Sequence, residues 1–381
     1  MNASFPLISS TIKKIDTDLH KCVSGIDILE AVAPLNYREQ KAAFFESNYS
    51  ANPEFTYSTP DLDLFAKKRA LYNIHVDKLE DEDLVTLYTD VIESYVDKLD
   101  QFKSIGTPEF LYDSLRYYGE PSDKDIGNAN FILHLPDDMD PRDTIMLDSK
   151  EVQRRMCDFA EAEGYEYQIK LNDSMIANAL VSGTTVKINS AAVVPETEVN
   201  ALMHHELGVH LVTTLNGRAQ PLKILSLGSP VNTTTQEGLA ILCEYLSGNL
   251  SLYRLKVLAM RVVAVQSMIH DKDFKRTFLL LKEEHGASDD QAFTITARVY
   301  RGGGFTKDYL YLQGFHQMLN AYSEADNFNN LLTGKASLAH LPLITRLIEK
   351  DYLIQPGFIS PAIRDPQSID LVQRFIARAI R

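Results

Sequence analysis

Seven residues constrain this chain more than any others: His204-His205-Glu206-Leu207-Gly208-Val209-His210, inside a stretch (196–215) that reads as one helix. The run comes close to the H-E-x-x-H pattern of metallopeptidases, but it is H-E-x-x-x-H, with one residue too many between the histidines. In a regular α-helix two positions five apart diverge by about 140°, too far to share one ion. The histidines are therefore a coincidence, or the helix carries an extra residue in one turn. Single-turn π-bulges do this and occur often at functional sites. Gly208 is the residue within the run best able to accept such a distortion.

The surrounding chain is that of an ordinary globular protein. With 381 residues, 45% hydrophobic and 24% charged, it is long enough for a large core or a few packed subdomains. A net charge of −14 argues against nucleic acid or an anionic membrane as a general partner. The cysteines, Cys22, Cys157 and Cys243, form no CxxC pair, which points to a reducing, cytoplasmic setting without a disulfide framework. The first residues lack the basic-then-apolar pattern of a signal peptide, and no apolar run approaches the roughly 18 residues of a membrane span.

Apolar spacing predicts helices over 7–33, 61–104 and 107–118, with 38–58 as an aromatic, Asn/Pro-rich loop. The polar break at 137–143 separates a helical N-terminal region (1–136) from a catalytic domain (145–330). That domain starts with a helix over 149–163, a strand at 165–171 and a hairpin of strands 174–182 and 185–191 around Gly183-Thr184. The histidine helix follows, then a Gly/Pro-rich loop over 217–232. A helix over 236–248 comes next, with Thr233-Thr234-Thr235 as cap candidates. Further helices cover 251–270, 273–284, 289–300 and the stretch after 304; residues 331–381 supply short C-terminal helices packed on the core. Strand, hairpin and metal helix in this order are arranged as in zinc-peptidase domains.

A catalytic zinc needs about three protein ligands and an open position for water. His205 and His210 offer imidazoles, and Glu206, beside the first, is placed to act as general base. The third ligand must come from elsewhere: Glu237 and Glu244, seven apart on one helix face, both qualify, and a carboxylate there also suits a partner that orients a ligand histidine. His204 cannot lead an H-E pair and reads as a supporting or packing histidine.

HHELGVH at 204–210 followed by QEGLA at 236–240 resembles the flavohemoglobin expression-modulating QEGLA motif proteins of bacteria, which are similar to the eukaryotic microtubule-associated tyrosine carboxypeptidases. The resemblance extends to ILEAVAPLNYREQKAAFF, LRYYGEPS and ARVYRGGGFTKDYLYLQG. It implies His205, His210 and Glu237 as ligands of one Zn2+ and Glu206 as base. It also implies a peptide or protein C-terminus as substrate.

A carboxypeptidase needs a cation for the terminal carboxylate, and Arg298, Arg301 and Lys307 cluster around the Gly302-Gly303-Gly304 turn, with Tyr311 close by. The strand at 185–191 is the expected rail for the substrate backbone. The expected fold is thus α+β and mostly helical. A zincin-like metallopeptidase core with a small mixed sheet is wrapped by N- and C-terminal helices. The expected activity is zinc-dependent hydrolysis of a peptide bond, of carboxypeptidase type. The alternative is a metal-containing binding or regulatory protein that keeps the fold without catalysis.

Overall fold

Long stretches of the chain repeat apolar side chains every three to four residues, and those stretches fold as helices. The computed structural model describes residues 8–58, 62–136, 145–173, 175, 177–228, 232–369 and 371–380. The polar break expected at 137–143 lies outside them, as do positions 174 and 176 of the first hairpin strand and 229–231 of the loop before the QEGLA helix.

The N-terminal part contains α1 (Ser10–Val23), α2 (Ile28–Ala31), α3 (Tyr37–Glu46), α4 (Leu64–Tyr72), α5 (Glu82–Ser104), α6 (Phe110–Tyr118) and α7 (Asp123–Leu133). α5 shows the common logic. Leu84, Leu87, Tyr88, Val91, Tyr95 and Leu99 form one buried stripe, and Asp81 caps the first turn by accepting from the Asp83 and Leu84 amides. Several assignments differ from the sequence reading: the helix expected over 7–33 is split into α1 and α2, and that over 61–104 into α4 and α5. The supposed loop 38–58 begins with helix α3, because YREQKAAFFE precedes the Asn and Pro that signal a loop. Its Phe44 ring packs on Phe274, Phe278 and Phe293, which fixes the helix by tertiary contact. α7, not anticipated, starts with a capping box formed by Ser122 and Asp125.

The middle of the chain holds β1 (Met146–Asp148), α8 (Ser149–Ala162), β2 (Gln168–Asn172), β3 (Ala179–Ser182), β4 (Thr185–Asn189) and β5 (Val193–Pro195). β1 pairs antiparallel with β5, and the other three form a mixed sheet of order β2-β4-β3. β3 and β4 are the expected hairpin, with Val181 opposite Val186, and β2 runs parallel to β4. This corrects one expectation. The strand at 185–191 was expected to receive the substrate backbone, but β4 is central and paired on both sides, so it has no free edge.

After β5 come α9 (Glu196–Leu202), a π-helical segment (Met203–Leu211), α10 (Val212–Ala219), α11 (Ile224–Leu227) and α12 (Asn232–Leu246). The remainder is α13 (Leu252–Asp271), α14 (Phe274–Leu279), a second π segment (Leu280–Glu284), α15 (Asp289–Tyr300), α16 (Leu310–Glu324), α17 (Leu341–Glu349), α18 (Pro361–Arg364) and α19 (Leu371–Ala379). The C-terminal region packs on the N-terminal one: Arg346 and Lys350 near the end of α17 donate to Asp83 in the first turn of α5. Among the described residues, no helix is long and apolar enough to cross a membrane.

α12 is the centre of the molecule, buried from Thr234 to Leu246 with Glu237 as the partial exception. It starts earlier than expected, so Thr233 to Thr235 lie inside it, and the Thr235 hydroxyl accepts from the Leu338 amide instead of capping. The helix gets this close to α16 because two glycines face each other. A Cβ on Gly238 would stand 2.3 Å from the Gly314 carbonyl oxygen. Backbone cannot move aside as a flexible side chain can. Gly238→Ala is therefore expected to lower stability by about 1–3 kcal/mol, seen as a lower thermal midpoint. Gly127→Ala, in α7 with nothing within 4 Å of the added methyl, should be neutral or stabilising. Equal effects of the two would contradict this packing.

Candidate metal centre

The extra residue between the histidines is housed by widening the helix. Met203–Leu211 is π-helical, between the regular turns of α9 and α10. The His205 and His210 rings consequently lie side by side, with centroids 5.0 Å apart and planes at 74°. Gly208 sits in this turn for a second reason also: a Cβ there would come 3.0 Å from the Ser360 hydroxyl at the start of α18.

α12 crosses the widened turn and supplies the third group. Glu237 Oε2 is 3.6 Å from His205 Nε2 and 3.6 Å from His210 Nε2. One ligand atom from each of His205, His210 and Glu237 lies within 4.8 Å of the others. Donors about 2.0–2.1 Å from a tetrahedral ion stand roughly 3.3–3.4 Å apart, so the spacing suits one small cation. Two imidazoles and a carboxylate also make a donor set that zinc accepts, with a position left over.

The partners of these groups fix their orientation. His205 Nδ1 lies 2.7 Å from Glu244 Oε1, which leaves Nε2 turned toward Glu237. Glu244 is almost fully buried and is held by the Arg254 fork at 3.1 and 3.0 Å. Both of its oxygens are thereby engaged, Oε1 by His205 and Arg254 and Oε2 by Arg254. Glu237 Oε1 accepts from Lys307 Nζ at 2.8 Å, so Oε2 alone faces the histidines. Glu206 Oε2 accepts from the Val181 amide of β3 at 2.9 Å, and Oε1 lies 4.0 Å from His205 Nε2.

The electrostatics favour positive charge at this point. Burial alone would lower the His205 pKa, but Glu237 and Glu244 outweigh it and push the imidazole up to about 10. Burial would raise Glu237, yet Lys307 and the two histidines hold it well below the usual carboxylate range. His204 stands apart from this cluster. It packs edge-on against Phe159, its buried Nδ1 has no partner among the described residues, and burial lowers its pKa to about 4.

The residues expected to hold a substrate carboxylate divide into different roles. Arg298 is already bidentate on buried Asp308, at 2.5 and 3.0 Å. Lys307 is committed to Glu237 and to the Tyr311 hydroxyl at 2.9 Å. Arg301 is only 3.9 Å from Asp308 at its nearest, and its Nε has no partner among the described residues. The Gly302–Gly304 turn is firmly seated: the Gly302 amide donates to the Tyr57 hydroxyl at 2.8 Å, and a Cβ on Gly303 would meet the Thr107 carbonyl at 2.3 Å.

Three side chains were missed by sequence reasoning. Arg254 and Arg261 are seven apart on one face of α13, a spacing that was available to read. Arg261 stacks over the Tyr311 ring at 5.1 Å, and its buried Nε lacks a partner among the described residues. Burial and then the charge of Arg298 lower it to about 10. Lys335, far along the chain, donates to the His210 carbonyl at 3.0 Å, and no sequence signal marks it.

The sequence model of the microtubule-associated tyrosine carboxypeptidases matches residues 42–381. A putative tyrosine carboxypeptidase from Mus musculus is 23% identical over 355 residues, covering 87% of this chain and 58% of that protein. The chain thus spans little more than half the length of that curated relative. Among solved structures, a putative lipoprotein from Colwellia psychrerythraea aligns over 91% of this chain and 77% of its own, at 14% identity and a TM-score of 0.45. The family match covers most of the sequence, and the chain belongs to the microtubule-associated tyrosine carboxypeptidase family.

A ligand that binds only the folded state stabilises it by about 2.7 kcal/mol at 100 times its Kd. Zinc added to the metal-stripped protein should raise the thermal midpoint accordingly, and a chelator should reverse the rise. His205→Ala and Glu237→Ala should each abolish it. A rise that survives both substitutions would place the metal elsewhere.

Proposed function

We propose that this family member is a zinc-dependent metallopeptidase of carboxypeptidase type, built on a zincin-like core and acting on a peptide or protein C-terminus. The observation that carries this reading is the convergence of His205, His210 and Glu237 on one point, with Glu206 beside it. His205, His210 and Glu237 would hold the ion. When bound, zinc lowers the pKa of a water and polarises the scissile carbonyl.

The remaining steps belong to side chains. Glu206 takes a proton from the attacking water and passes it to the leaving amine. The Val181 amide holds one oxygen of Glu206, so the other points toward the histidines. Glu244, anchored by Arg254, keeps His205 in the ligand orientation. Lys307 neutralises the outer oxygen of Glu237.

For the substrate carboxylate, the reading moves from Arg298 to Arg261 and Arg301. Arg298 is neutralised by Asp308, whereas the other two guanidiniums each keep a buried Nε–H without a partner among the described residues. A fork with free donors next to Tyr311 is suited to a planar carboxylate. β3, the outer strand that contacts the π segment, is the edge on which an extended substrate backbone would lie. Three free cysteines among the described residues fit a reducing, cytoplasmic setting.

Peptides that differ only in a free or amidated C-terminus test this reading. The free acid should be shortened by one residue and the amide resist. Glu206→Gln should retain zinc and lose about 10²–10⁴-fold in kcat. Arg261→Ala should lose about 10–100-fold in kcat/KM, the value of a charged hydrogen bond. Equal cleavage of acid and amide would remove the carboxypeptidase assignment, and turnover by Glu206→Gln would remove the general base.

A further inference from the structure

The widened turn raises a question that the ligands do not answer: what stops it from relaxing to a regular helix? A π segment shifts backbone carbonyls off their ordinary partners, and each buried carbonyl needs a donor. At its C-terminal exit the His210 carbonyl accepts from the Thr214 hydroxyl at 2.8 Å and from Lys335 Nζ at 3.0 Å. Lys335 also donates to the Thr213 hydroxyl at 2.9 Å, and that hydroxyl lies 2.8 Å from the Val209 carbonyl. Thr213 and Thr214 belong to the helix and would follow it through a change of register. Lys335 comes from outside it.

Its attachment is rigid. The Lys335 amide donates to the Leu225 carbonyl at 2.7 Å. The preceding Gly334 packs so closely that a Cβ there would meet the same oxygen at 2.6 Å. The next residue, Ala336, accepts from Gln236 Nε2 at 3.3 Å, and Gln236 immediately precedes Glu237. One short segment therefore touches the carbonyl of one expected ligand and the neighbour of another.

We propose that Lys335 is a positioning residue for the metal centre: its ammonium pins the His210 carbonyl, holds the π turn open and so keeps the His210 imidazole beside His205. Slipping one residue toward a regular helix would swing a side chain by about 100°, enough to take His210 away from the ion. This inference rests on the metal-centre reading. It goes beyond that reading by assigning a role to a residue outside both motifs.

The test is the rise in thermal midpoint that saturating zinc gives the full chain, measured as a difference from the metal-free form of each variant. A merely structural lysine would lower both forms alike and leave the difference unchanged. A positioning lysine shrinks the difference, because the supports of a metal ligand typically alter affinity about 10–100-fold. Lys335→Met is expected to weaken zinc binding on that scale in a chelator competition, Lys335→Gln, which keeps one donor, by less, and Lys335→Arg least. The Gln variant keeps the comparison available if the Met variant does not fold.

A folded Met or Gln variant with wild-type zinc affinity would overturn the proposal. So would a gain in affinity, which would mean that only the charge of Lys335 is felt. Failure of the underlying reading looks different: the wild-type protein itself would show no zinc-dependent rise.

Discussion

Everything at this site depends on one surplus residue in a helical turn. Had the spacing between His205 and His210 been four, any regular helix would have aligned them. At five, the backbone must open to a π turn, and the structure around it is organised to hold that opening. Gly208 leaves room for Ser360 against the widened turn. Lys335 and Thr214 satisfy the carbonyl at its exit. Glu244 and Arg254 fix the imidazole at its start.

The second motif answers the first, residue by residue. In QEGLA, Gln236 binds the Thr213 hydroxyl of α10 and the Ala336 carbonyl. Glu237 faces both histidines. Gly238 permits backbone contact with Gly314 on α16. Leu239 and Ala240 are wholly buried. α16 follows directly on the turn that carries Lys307, so the glycine contact also sets where that ammonium meets Glu237. Four cations, the partly buried Arg261, Arg298 and Arg301 and the buried Lys307, then stand near Asp308 and Glu237. Arg261 and Arg301 are the least neutralised members of that cluster.

Much of this was legible in the sequence, and the failures have physical causes. The histidine spacing pointed to a π turn because helical geometry leaves no other way for both rings to meet one ion. The hairpin was readable from its Gly-Thr turn, and most helices from their apolar spacing. α3 was misread because composition was averaged over 38–58, although its helical half comes before the turn residues. The strand at 185–191 was taken for a free edge because sequence order does not show which strand of a sheet is outermost, and β2 pairs with β4 across a long connection. Arg298 was nominated for its type and position, but only the fold reveals that Asp308, ten residues on, occupies its fork. Lys335 lies 125 residues from the carbonyl it holds, and no local pattern encodes that contact.

The central claim is that the widened helix and α12 together form one metal-binding point. Anomalous diffraction at the zinc absorption edge, from crystals of the zinc-loaded protein, tests it most directly. The account predicts a single strong peak about 2.0–2.2 Å from His205 Nε2, His210 Nε2 and a carboxylate oxygen of Glu237, with the turn π-helical. A regular helix over 203–211 with the two imidazoles pointing apart, or a peak bound by other side chains, would contradict it.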